Sequence, residues 1–139
     1  MPWQDVAMPM TAMVVDDEEP VRKFVDRVLR EAGYSTVSAS DGPEAIDVAS
    51  TLGTLDILVT DVMMPQMPGD ELARHLRLQR PTLKVLYLTG FSDSLFKQRV
   101  TLWPGEAYLD KPCSIKSLLQ AVSLLLFGSV DAPKELKTS

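Results

Sequence analysis

The sequence predicts one α/β domain built on a parallel sheet covered by helices on both faces. Short apolar runs alternate with segments whose apolar residues recur at helical spacing. The runs are apolar nearly throughout rather than at every second position, the pattern of strands buried on both sides. Most of them also stop at a carboxylate, a hydroxyl or a lysine.

Met10 to Val15 reads as the first strand, ending at Asp16 and Asp17. Glu18, Glu19 and Pro20 open a helix, because acids suit the positive end of the helix dipole and proline fits the first helical position. Val21, Phe24, Val25, Val28 and Leu29 form its apolar side, and Gly33 stops it. Tyr34 to Ala39 is a second strand. Asp41 to Glu44 starts a second helix with Ala45, Ile46, Val48, Ala49 and Leu52 inward.

Leu55, Ile57, Leu58 and Val59 make the third strand, which stops at Asp61. A loop with Pro65 and Pro68 leads to a third helix over about Gly69 to Gln79, using Leu72, Ala73 and Leu76, with Leu78 as a further candidate. It ends before Pro81, since the residue preceding a proline is pushed out of the helical region. Leu83 to Leu88 is the fourth strand and delivers Thr89. Ser92 is positioned to cap a helix carrying Leu95, Phe96 and Val100. Ala107 to Leu109 is a short fifth strand, followed by Asp110, Lys111 and Pro112. Ser114 caps a last helix through Leu118, Leu119, Val122, Leu125 and Leu126.

The 139 residues, 45% hydrophobic and 24% charged, suffice for one domain with a real core. A formal net charge of −5 disfavours direct nucleic-acid binding. A lone Cys113 rules out an internal disulfide and suits a reducing compartment, so a cytoplasmic location is expected. No apolar run has the length a membrane span needs, and the N-terminus lacks a signal-peptide pattern. The expected boundaries are an extension over residues 1–9, a domain over 10–127 and a loose tail over 128–139.

Right-handed crossovers bring the carboxyl ends of parallel strands to one edge, where α/β proteins place ligands. That edge would collect Asp16, Asp17, Asp61, Thr89 and Lys111. Clustered carboxylates repel by several kcal/mol at about 4 Å and moderate dielectric, so they need a cation. An all-oxygen set from Asp17, Asp61 and a backbone carbonyl suits Mg²⁺ rather than zinc. Lys111 would stabilise an added phosphoryl group and Thr89 would hydrogen-bond it, with Asp61 as the carboxylate nucleophile. Each residue alone also has a plainer reading: Asp61 an Asx-turn, Asp16 and Asp17 a helix cap, Thr89 a strand end, Lys111 a solvated charge. Their joint placement favours the chemical reading.

Val14 to Glu19 (VVDDEE), Leu58 to Gly69 (LVTDVMMPQMPG), Leu88 to Phe91 (LTGF) and Ala107 to Pro112 (AYLDKP) resemble the response-regulator receiver domains of two-component signalling. The resemblance covers about residues 10 to 127. It implies a flavodoxin-like, doubly wound (βα)5 three-layer sandwich with sheet order 2-1-3-4-5. It also implies Asp61 as phosphoacceptor and Asp17 as a direct Mg²⁺ ligand. Asp16 would support the metal, and the Met63 backbone carbonyl would complete the protein ligands. Thr89 and Tyr108 would be the switch pair, Lys111 the phosphate-binding lysine, and Lys111–Pro112 a cis peptide. The donor would be a phosphohistidine on a partner histidine kinase or histidine phosphotransfer protein. Such a domain catalyses its own phosphorylation and dephosphorylation rather than turning over a substrate.

Some positions depart from the family pattern. Cys113 replaces a common aromatic, a packing change or a reactive thiol. Met63 and Phe91 are bulky and apolar at the pocket entrance, which predicts a long-lived phosphorylated state. Arg22, Lys23, Arg27 and Arg30 give the first helix a basic side, either solvated or a kinase-docking face. His75 is expected to be a solvated surface residue. Leu124 and Phe127 extend the last helix's apolar surface, either as a helix end or as a partner face such as a weak homodimer. The short tail after Phe127 cannot fold as an effector, so a stand-alone regulator and the receiver of a hybrid sensor kinase both remain open, the loop wording leaning to the latter. The downstream effector is unknown. The competing functions are a pseudo-receiver acting only as an interaction module and a flavin protein of the same topology. The acidic loop after the first strand argues against the latter, since it would repel an unshielded phosphate.

Overall fold

A computed structural model describes residues 9–90, 102 and 104–128. Among the described residues, nine elements follow one another: β1 Thr11–Val15, α1 Glu19–Glu31, β2 Ser35–Ala39, α2 Gly42–Ala49, β3 Ile57–Asp61, α3 Gly69–Arg77, β4 Lys84–Thr89, β5 Glu106–Asp110 and α4 Ile115–Phe127. The expected helix at Ser92, Leu95, Phe96 and Val100 lies outside the described residues, as do Phe91 and most of both terminal segments.

The five strands pair in the order β2-β1-β3-β4-β5, all parallel. This is the flavodoxin-like, doubly wound arrangement, in which the order reverses direction at β1 and leaves a crevice at the carboxyl ends of β1 and β3. β1 shows why its apolar run has no polar alternation. Met13 and Val15 pack into the core under α2 and α3, with Ala45, Ala49, Leu72 and Leu76. Ala12 and Val14 face the other way, into the core under α1 and α4, with Val25, Leu29, Leu118 and Val122. Burying both faces of a strand removes every position at which a polar residue would be tolerated.

The helix ends follow local chemistry. Asp41 accepts a hydrogen bond from the Glu44 amide at 2.8 Å, and Ser114 accepts one from the Ser117 amide at 3.0 Å, so each caps its helix. Gly33, just past the end of α1, has φ +105°, where a side chain would be strained.

Three expectations need correction. Phe24 is exposed rather than core; among the described residues, the core under α1 takes in Val21, Val25, Val28 and Leu29. Leu78 is 78% exposed and stands past the end of α3. Leu52 lies beyond α2 and packs against the core from the following turn. The basic side of α1 is solvated and largely paired within the helix, one of the two readings its spacing allowed. Lys23 pairs with Glu19, Arg27 with Glu31 and Arg30 with Asp26, each one helical turn apart, and Arg22 turns towards the β1–α1 loop. His75 is exposed, as expected.

Candidate functional site

Parallel pairing sets the strand ends side by side. Asp61 is the last residue of β3 and pairs with Leu88, one position before Thr89. Thr89 pairs with Asp110 at the end of β5, and the Lys111 amide donates to the Thr89 carbonyl at 2.8 Å. Asp16 directly follows β1, its amide donating to the Ala39 carbonyl at 3.3 Å. The expected site residues therefore meet at one edge of the sheet.

Asp16 is fully buried and Asp61 is 5% exposed, whereas Asp17 is exposed. One oxygen from each of the three carboxylates lies within 4.8 Å of the others. The Lys111 ammonium stands among them, 3.1 Å from Asp16 Oδ2, 3.2 Å from Asp61 Oδ1 and 3.4 Å from Glu18 Oε1. Asp16 also serves the backbone: its Oδ1 accepts from the Glu18 amide at 2.9 Å, closing the turn that leads into α1. The Arg22 guanidinium donates to the Asp16 carbonyl at 2.8 Å and pins the same turn. The turn-capping role therefore belongs to Asp16. Among the described residues, no backbone amide donates to the Asp61 carboxylate.

Burial and the neighbouring Asp16 charge push the Asp61 carboxyl up to about 7, against the pull of Lys111. Asp16 is also raised by burial, despite the Glu18 amide and Lys111. Burial alone would lower Lys111, but its contacts with Asp16 and Asp61 more than offset this and raise it. The lysine thus stays charged, and the carboxylates hold more negative charge than one ammonium balances.

The donor set fits Mg²⁺. All three side chains offer oxygen, the ligand type that a hard divalent cation takes. Asp16 Oδ2 is buried without an aligned hydrogen-bond partner, although Lys111 is close in charge. A buried carboxylate oxygen without a donor is an energetic cost that a cation removes.

Thr89 is fully buried, and its hydroxyl donates to Asp110 Oδ1 at 2.9 Å. Tyr108 is 43% exposed. Met63, at the start of the β3–α3 loop, is 58% exposed. That loop is pressed against β3: the Gly69 amide donates to the Val62 carbonyl at 2.8 Å, and a Cβ on Gly69 would sit 2.1 Å from the Asp61 carbonyl oxygen. The Lys111–Pro112 peptide is cis. Next to Lys111 an apolar groove of about 520 Å³ is lined by Phe24, Val25, Leu88, Pro112 and Cys113. Burial raises the Cys113 thiol, which makes it a weak nucleophile and favours the packing reading.

Sequence reasoning missed Asp110 and Arg22 as neighbours of the site. For Asp110 the signal was available in principle, since a parallel register pairing Thr89 with the residue before Lys111 sets the two side by side. For Arg22 it was not, because its role depends on a side-chain direction.

An acidic pocket, a lysine and a buried threonine at the carboxyl edge of a 2-1-3-4-5 sheet define a class of α/β domains built to handle a small charged group at the switch point. Residues 12–123 match the response regulator receiver domain family, and the chain belongs to it. It is a receiver domain of two-component signalling. It is 34% identical over 123 residues to the sensor kinase CckA of Brucella abortus (strain 2308), covering 88% of this chain and 13% of the kinase. It is 39% identical over 120 residues to the response regulator MprA of Mycobacterium sp. (strain KMS), covering 86% of this chain and 51% of the regulator. The chain therefore spans only part of either relative.

Among solved structures, it resembles the receiver domain of the hybrid histidine kinase CckA, with a TM-score of 0.70 and 32% identity, covering 84% of this chain and 98% of that one. It also resembles the Vibrio cholerae chemotaxis protein CheY4, with a TM-score of 0.76 and 30% identity, covering 85% and 99%. Receiver domains bind Mg²⁺ at an acidic cluster, here represented by Asp16, Asp17 and Asp61, and interact with histidine kinases or phosphotransfer proteins. Among the described residues, no helix is long and apolar enough to cross a membrane.

Proposed function

We propose that Asp61 accepts a phosphoryl group from a phosphohistidine on a partner histidine kinase or phosphotransfer protein, in a Mg²⁺-dependent reaction, and that Thr89 and Tyr108 carry the resulting switch. The observation that carries this reading is the Asp61 carboxylate at a strand end, 3.2 Å from the Lys111 ammonium and within reach of two further carboxylates.

An ionised Asp61 oxygen attacks phosphorus, a P–O bond forms, and the P–N bond to the donor imidazole breaks. The electron pair leaves with the imidazole, which regains its proton from solvent. Asp17, Asp61 and the Met63 carbonyl, supported by Asp16, would hold Mg²⁺, which would supply charge neutralisation for the phosphoryl oxygens. Lys111 would serve the same charge, and its ammonium lowers the cost of keeping Asp61 ionised. Little bond chemistry is left to the protein beyond placing and neutralising these groups.

The new charge then draws the Thr89 hydroxyl and the Lys111 ammonium. Both belong to adjacent strand ends joined by the Lys111-to-Thr89 backbone hydrogen bond, so a shift of one biases the other. Tyr108 is 43% exposed, which leaves its ring room to turn inward once Thr89 moves. This is a population shift driven by one local charge.

Incubation with Mg²⁺ and acetyl phosphate, followed by intact mass measurement, tests the reading. One phosphoryl adduct on the wild type, absent in Asp61→Asn, is expected. A wild type that takes no adduct would instead be a pseudo-receiver.

A further inference from the structure

We propose that Asp110 is a positioning residue for phosphoryl capture, holding the Thr89 hydroxyl at rest and competing with the incoming phosphoryl group for its proton. The inference rests on the reading of Asp61 as phosphoacceptor. It starts from one contact, the 2.9 Å hydrogen bond from Thr89 Oγ1 to Asp110 Oδ1.

A threonine hydroxyl carries one proton and can donate to one strong acceptor at a time. Asp110 is an anionic acceptor, and hydrogen bonds to charged groups are stronger than neutral ones. Thr89 is fully buried, so little water competes for the hydroxyl. Whatever draws that hydroxyl to Asp61 must first break its bond to Asp110.

The register makes the contact a built feature. Thr89 and Asp110 are cross-strand partners at the ends of β4 and β5. Successive residues of an extended chain point to opposite sides. Asp110 thus meets Thr89, while Lys111 reaches Asp16 and Asp61. One dipeptide therefore holds both groups that a phosphoryl oxygen would recruit, one poised in the pocket and the other held back.

Beryllofluoride, which mimics a phosphoryl group on a carboxylate, measures the competition at fixed Mg²⁺ by fluorine NMR. Asp110→Ala should bind it about tenfold more tightly than the wild type, the lower end of what a net hydrogen bond to a charged group is worth. Asp110→Asn keeps the shape and a weaker acceptor, so it should show a smaller gain in the same direction and guards against a folding defect in the alanine variant. In a Thr89→Val background, the gain from Asp110→Ala should vanish, since no hydroxyl remains to release. A gain that persists there would reflect removal of a nearby negative charge and would overturn the proposal. Wild-type binding with no gain in either Asp110 variant would overturn it while leaving the role of Asp61 standing. A wild type that binds no beryllofluoride would overturn both.

Discussion

Lys111 Nζ lies 3.2 Å from Asp61 Oδ1 and 3.1 Å from Asp16 Oδ2, so one ammonium bridges two buried carboxyl groups at the ends of different strands. One positive charge cannot balance three clustered carboxylates. The imbalance shows in Asp61, raised from 3.8 to about 7 by burial and the Asp16 charge.

That shift sets a pH dependence. Below about pH 4 both folded and unfolded chains hold the Asp61 proton. Between about 4 and 7 only the folded chain does, so stability falls as pH rises through this window, and the slope ends above it. Asp16, raised in the same direction, adds to the slope. Metal-free Asp61→Asn should therefore melt several degrees above the wild type at pH 8 and close to it at pH 4. Millimolar Mg²⁺ should narrow the gap by stabilising the wild type. Parallel melting curves for the two proteins from pH 4 to 8 would contradict the assignment.

Gly69 is required for steric reasons. A Cβ there would lie 2.1 Å from the Asp61 carbonyl oxygen, a backbone atom that cannot move without moving β3. Gly69→Ala should cost about 1–3 kcal/mol of stability, the usual range for overpacking. Because the displaced atom belongs to Asp61 itself, phosphoryl adduct formation should also slow. Urea unfolding and the rate of adduct formation from acetyl phosphate measure the two effects.

Away from the site, Arg77 at the end of α3 pairs with Glu106 of β5 at 2.7 Å, with side chains 16% and 5% exposed. Arg77 also donates to the Leu83 carbonyl at 3.0 Å, and the Tyr87 hydroxyl lies 3.3 Å from the same Glu106 oxygen. Arg77→Met leaves Glu106 buried with its charge under-compensated, which should cost about 3–5 kcal/mol. Arg77→Met with Glu106→Gln should recover part of that loss. A double variant less stable than Arg77→Met would show that the pair is not the source of the cost.

Met63 follows the buried Val62 and stands 58% exposed beside the strand that ends in Asp61. An apolar side chain there would exclude the water that hydrolyses an acyl phosphate. Met63→Asn should shorten the life of the phosphorylated state severalfold. A decay rate equal to that of the wild type, followed by intact mass over time, would remove Met63 from the account.

The order of strands and helices was readable from the sequence because burial on both sheet faces leaves a plain signature, as in Met13, Val14 and Val15. Asp16, Asp17, Asp61, Thr89 and Lys111 were readable for a related reason. Each stands where an apolar run stops, and parallel topology brings all such stops to one edge. The i, i+4 ion pairs along α1 were also present in the spacing of Glu19 and Lys23, Asp26 and Arg30, and Arg27 and Glu31. A count of basic residues overlooked them.

Three matters were decided only by the tertiary structure. Phe24 has helical core spacing yet is exposed, because the width of a buried stripe depends on what packs over it. Lys111 bridges Asp16 and Asp61 rather than pointing into water, since its reach depends on where two other strands end. The Thr89 hydroxyl faces Asp110, a partner fixed by the β4–β5 register. Periodicity records which residues avoid water. Which polar atom meets which is fixed only when separate strands are brought into register, and that is a property of the assembled sheet.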